Sequence, residues 1–97
     1  MIIKWNKAAV KNLISALEFI ENAGFTDYSI RLEKEIISTI QTLPTNYLNF
    51  QLDRFKENND GSFRAIIIEN YRISFRVKAN EIQILRIRHT SKNPIIK

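Results

Sequence analysis

The chain of 97 residues has no cysteine, a single histidine, two glycines and two prolines. Without thiols there is neither a disulfide framework nor a cysteine-based zinc site, and one imidazole cannot make a cluster of soft metal ligands. The carboxylates show no metal-ligand spacing, so no metal and no other cofactor is expected. Gly24 and Gly61 stand alone, which excludes a Gly-rich phosphate loop, and no nucleophile-elbow motif is present. No apolar run approaches the roughly 18 residues that cross a bilayer, and Met1-Ile2-Ile3-Lys4 is too short for a signal peptide. Most metabolic enzyme classes fall away, and a soluble cytoplasmic protein is expected.

What the chain does hold is apolar residues (44%) and charge (26%). That composition excludes disorder, and the length suits one domain spanning 1–97. The net charge of +5 is unevenly placed. Residues 61–97 carry eight bases (Arg64, Arg72, Arg76, Lys78, Arg86, Arg88, Lys92, Lys97) against Glu69 and Glu81, for +6, and residues 1–60 carry −1. A basic last third points to a polyanion or an acidic protein partner, or else to a solvated basic surface.

Ile2, Ile3 and Trp5 form a short strand candidate, and Asn6 offers an N-cap oxygen to a following helix. Val10, Leu13, Ile14, Leu17 and Ile20 make one helical stripe, and Gly24 can end that helix at positive φ. A second stripe, Leu32, Ile36, Ile37, Ile40 and Leu43, starts near Thr26 and is expected to stop at Pro44. Residues 44–61 read as a polar connector with a short anchoring segment at 47–52. From Phe63 the period becomes two: strands at 63–68, 71–78 and 81–88 are joined by Glu69-Asn70 and Ala79-Asn80. Ile82 and Ile84 oppose Leu85 and Ile87 in phase, which implies an interior strand or a bulge near Ile84. The expected fold is α+β: an N-terminal strand, an antiparallel helix hairpin and a three-stranded antiparallel meander, with the helices on one sheet face.

The chemistry-bearing residues gather in the meander. Arg72, Arg76 and Lys78 share the polar side of the central strand, and Arg86, Arg88, His89 and Lys92 lie along and beyond the end of its neighbour. The hairpin brings Arg72 towards Arg88 and His89. Guanidinium groups can hold a phosphate through paired hydrogen bonds, and an imidazole can move a proton near neutral pH. RNA brings its own 2′-hydroxyl nucleophile, so such a set could cleave it without metal or thiol. The simpler alternative for Arg72 is a cross-strand ion pair with Glu69 or Glu81.

The stretch from Phe63-Arg64 through Glu69-Asn70-Tyr71-Arg72-Ile73-Ser74-Phe75-Arg76-Val77, followed by Ile84-Leu85-Arg86-Ile87-Arg88-His89-Thr90-Ser91-Lys92-Asn93-Pro94, resembles the RelE/ParE toxin superfamily of bacterial type II toxin–antitoxin pairs. The resemblance covers nearly the whole chain in length and element order. It implies a growth-inhibiting toxin, found in plasmid stabilisation systems among others, that is neutralised by a small acidic antitoxin. One branch cleaves ribosome-bound messenger RNA, and the ParE branch inhibits DNA gyrase. By resemblance, Arg72 sits where the nucleases keep a phosphate-contacting arginine and His89 where one subgroup keeps an acid–base histidine. Arg72, His89 and Arg88 are therefore the catalytic candidates, with Arg64, Arg76, Arg86 and Lys92 as candidates for nucleic-acid or partner binding. Ile66 replaces the second alternating basic residue of the preceding strand, and Thr90 stands where the histidine subgroup carries tyrosine. The pattern through Asn93-Pro94 looks nearer the ParE branch. Gyrase inhibition is the leading expectation, beside a metal-independent endoribonuclease or a non-toxic binding module.

Overall fold

The computed structural model describes residues 1–92, so the Asn93-Pro94 part of the motif lies outside the described residues. Strand β1 (Ile2–Trp5) leads into helices α1 (Lys7–Asn22) and α2 (Thr26–Asn46). A single 3-10 turn (Tyr47–Asn49) then precedes β2 (Gln51–Leu52), β3 (Phe63–Ile68), β4 (Tyr71–Lys78) and β5 (Glu81–His89). The five strands form one mixed sheet in the order β1-β5-β4-β3-β2, with β1 parallel to β5 and the other neighbours antiparallel. The α+β expectation holds, and the connector adds the strand β2 that periodicity did not reveal. No helix among the described residues is long and apolar enough to cross a membrane.

Alternation along β4 decides where the core lies. Tyr71, Ile73 and Phe75 point to the helix side, joined there by Ile66, Ile68, Ile82, Ile84 and Ile87. Leu13 and Ile20 of α1 and Leu32, Ile36, Ile40 and Leu43 of α2 close over them. The register shifts between Ser74 and Phe75, leaving Leu85 without an opposite residue. This bulge puts Ile87 back in phase with Ile82 and Ile84, which resolves their conflict in the sequence.

Three local readings change. Pro44 does not stop α2, which runs on to Asn46. In the last turn a proline removes only one backbone donor, and the buried Leu43 with the Tyr47 amide bonded to the Leu43 carbonyl holds the turn closed. Asn6 makes no side-chain cap; its amide donates to the Ile84 carbonyl (2.9 Å) and its carbonyl accepts from Val10 (3.1 Å). Val10 and Ile14 are exposed. They lie one residue on from Ala9 and Leu13, about 100° round the helix from the sheet-facing side.

The β3–β4 hairpin has a two-residue loop, with Ile68 opposite Tyr71. Positive φ falls on Glu69 (53°) rather than Asn70, and on Ala79 (38°) in the next turn. A side chain in the left-handed region is strained by its Cβ, and glycine lacks that atom. Ala79→Gly is expected to stabilise the fold by about 1 kcal/mol and raise the melting temperature by about 4–8 °C. A lower melting temperature for the variant would contradict this account of the turn.

Candidate functional site

The sheet side away from the helices carries the charge. Arg72 stands directly opposite Arg88, Ser74 opposite Arg86 and Arg76 opposite Gln83, while Ile67, Ala65 and Phe63 continue the same rows on β3. The approach of Arg72 to Arg88 follows from the hairpin, as the sequence implied.

The segment between β2 and β3 folds back over these rows. Asp53, 2% exposed, accepts through Oδ1 from Arg72 Nη2 and from the Phe55 amide, each at 3.0 Å. The Arg72 guanidinium lies 4.6 Å from the Phe55 ring centre, and that of Arg54 lies 4.8 Å from it. A second ring repeats the arrangement: Phe63 has Arg76 at 4.5 Å and Lys56 at 4.7 Å. Such contacts draw a cation to the ring's electron-rich face. Arg76 also donates from Nε to Ser62 Oγ (3.1 Å) and pairs loosely with Asp60 (3.8 Å). Hydrogen bonds from Ser62, more than the Arg76 charge, hold the Asp60 carboxyl below its usual range. Asn59 closes the segment by donating to the Phe63 carbonyl (2.8 Å) and accepting from the Gly61 amide (2.9 Å). Arg72 and Arg76 are therefore fixed from within the chain, and the partner of Arg72 is Asp53, not Glu69 or Glu81. Glu81 is instead held in its ionised form, chiefly by the Gln83 side chain and then by Lys4.

The other candidates divide between places. Arg86 and Arg88 occupy the open side. Arg64 does not: it is opposite Phe75, on the helix side, and donates from Nη1 to the Phe50 carbonyl (2.7 Å). His89 is opposite Tyr71, also on the helix side, with the two rings edge to face at 5.2 Å. Its Nδ1 accepts from the Ser91 amide (3.1 Å) and lies 2.7 Å from Ser91 Oγ, so the neutral ring keeps its proton on Nε2. Burial, and secondarily Tyr28, pushes the Tyr71 phenol above its ordinary value. His89 and Lys92 border a groove of about 570 Å³ between α1 and the end of β5, floored by Ala16, Tyr71 and Ile87 and edged by the exposed Phe19. Where β1 has ended, Asn12 Oδ1 accepts the outward Ile87 amide (3.0 Å) and ties α1 to β5.

Arg88 and His89 are thus neighbours in sequence that point to opposite sides of the sheet. The alternation of the strand separates their directions, although Arg88 also borders the groove that His89 and Lys92 edge. Among the described residues no group of three or more His, Asp or Glu side chains could hold a metal ion. Asp53, Phe55 and Asn12 escaped the sequence reading, because each acts through a tertiary contact that no periodicity reports.

A family model described as the ParE toxin of the type II toxin–antitoxin system parDE matches residues 3–94. The chain belongs to the ParE toxin family. Among solved structures, this ParE-family chain is similar to one titled as the chromosomal ParDE system of P. aeruginosa, at 22% identity and a TM-score of 0.72, over 92% of this chain and 95% of that one. It is also similar to one titled as the RelB–RelE antitoxin–toxin complex of Methanococcus jannaschii, at 20% identity and a TM-score of 0.55, over 91% of each chain. A conserved hypothetical protein of Helicobacter pylori shares the fold at 18% identity and a TM-score of 0.52, over 95% of this chain and 97% of that one. At these identities the structural matches establish the fold of the ParE-family chain. No curated protein matches it.

Proposed function

We propose that this toxin arrests growth by binding and inhibiting DNA gyrase, and that a small acidic antitoxin holds it inactive. The observation that carries the reading is the separation of the nuclease candidates. Arg72 is committed to the buried Asp53, and His89 lies across the sheet from Arg88. General acid–base cleavage of RNA needs the proton carrier within hydrogen-bond reach of the held phosphate. Inhibition by protein contact needs only a rigid, charged surface, and the braced sheet side supplies one. The antitoxin fits the groove by chemistry: an amphipathic acidic segment would set apolar residues on Phe19 and Ile87 and carboxylates on Lys92.

Purified toxin is expected to block supercoiling by gyrase while ribosome-bound message stays whole. Message cleavage with supercoiling untouched would overturn the proposal in favour of the endonuclease, whose one structural support is Arg72 opposite Arg88. Normal growth on induced expression would overturn both and leave a binding module.

A further inference from the structure

The cations of the open sheet side fall into two sets. Arg72 and Arg76 have carboxylates and rings of their own chain, as described above. Arg86 and Arg88 make no ion pair and no side-chain hydrogen bond among the described residues, and Arg88 Nε is withdrawn from solvent without a partner. A buried donor left unmet is unfavourable unless an acceptor arrives. Arg64, whose Nε is likewise unmet, lies on the other side of the sheet and already bonds Phe50.

From this contrast we infer that Arg86 and Arg88 form a clamp for the phosphodiester backbone of a nucleic acid, a binding activity separate from the gyrase contact proposed above. Two residues apart on one strand, their side chains leave the sheet about 7 Å from each other. That spacing is close to the separation of consecutive phosphates along a nucleic-acid strand. Each guanidinium can meet one phosphate with paired hydrogen bonds, and the Ser74 position lies opposite Arg86 between them and the braced arginines. Directly opposite on β4 stand Arg72 and Ser74, and the apolar Ile67 comes only one strand further on. The Phe55 and Phe63 rings already carry cations, so base stacking is not offered and the contact reads charge and spacing without sequence.

The experiment is a salt series of fluorescence anisotropy titrations with a short labelled DNA duplex and a single-stranded RNA of the same sequence. It compares the wild-type chain, Arg86→Gln/Arg88→Gln, and Lys11→Gln/Lys34→Gln, which makes the same charge change at exposed helix positions. Between about 50 and about 200 mM salt, the arginine double variant is expected to lose about 1.8 from the log–log slope on duplex, or about 1.4 on the single strand, with at least a tenfold weaker Kd. The lysine variant should keep the wild-type slope. Equal losses in the two variants would reduce the effect to net charge and overturn the clamp. So would absence of wild-type binding at the lowest salt, or tighter arginine-dependent binding of polyglutamate than of either nucleic acid. Should the glutamine variant not fold, Arg86→Lys/Arg88→Lys serves, with the slope retained and the affinity lowered; unchanged affinity there counts against paired hydrogen bonding. A chain that inhibits supercoiling yet shows no arginine-dependent binding would overturn this inference and leave the gyrase proposal standing.

Discussion

Arg72→Met is expected to lower stability by about 3 kcal/mol, because it removes the cation paired with the Asp53 carboxylate in a buried site. Breaking a buried pair by removing one partner costs about 3–5 kcal/mol, and the lower figure applies because the Arg72 side chain is still 20% exposed. For a chain of this size the melting temperature should fall by about 12–24 °C. Asp53→Asn in the same background removes the buried charge, so the double variant should melt above Arg72→Met alone. The outcome bears on function. Loss of toxicity on replacing Arg72 would then reflect a loosened 53–62 segment, and thermal melts beside growth assays separate this from loss of a phosphate contact. Stability within about 0.5 kcal/mol of the wild type would show that the ion pair has no net structural role.

Phe75→Ala should have the larger effect, about 4 kcal/mol. The ring is wholly buried at the bulge between β4 and β5, and the Phe50 ring meets it edge-on at 6.5 Å. Truncation leaves a void walled by the sheet on one side and by the segment leading to β2 on the other, and neither can close without breaking strand pairing. A domain of this kind has about 5–15 kcal/mol in total, so denaturant titration should find the variant near the edge of folding. Phe75→Leu should lose markedly less, since most of the volume remains. A change below about 1 kcal/mol for Phe75→Ala would mean that Phe50 refills the space.

The strands of the meander were legible because each buries one side only: Tyr71, Ile73 and Phe75 declare the phase, whereas the register across Glu69-Asn70, which decides the side taken by Arg64, stayed open until the structure paired Ile68 with Tyr71. The charge on the opposite side could be read for the same reason. Two things could not. His89 follows Arg88 directly, and in a strand that alone sends the two side chains apart; clustering along the sequence hid the separation. The partner of Arg72 lies 19 residues back in a polar connector whose composition suggested only turns. Helix limits failed where tertiary packing outweighed a local signal, as at Pro44, and the Val10-Ile14 pair shows that an apolar stripe can be wider than the surface available to bury it.

Among the described residues the first strand has its neighbour in the last: β1 pairs with β5, and Asn12 reaches a backbone amide 75 residues on. Because β5 also lies between β1 and β4, β1 cannot join the sheet until residues 81–89 have been made. During synthesis the helix hairpin therefore emerges before any of the sheet it covers, and its apolar side waits on β3, β4 and β5. Contacts of such long sequence separation slow the search for the native state, so folding of this sheet waits on the pairing of β1 with β5.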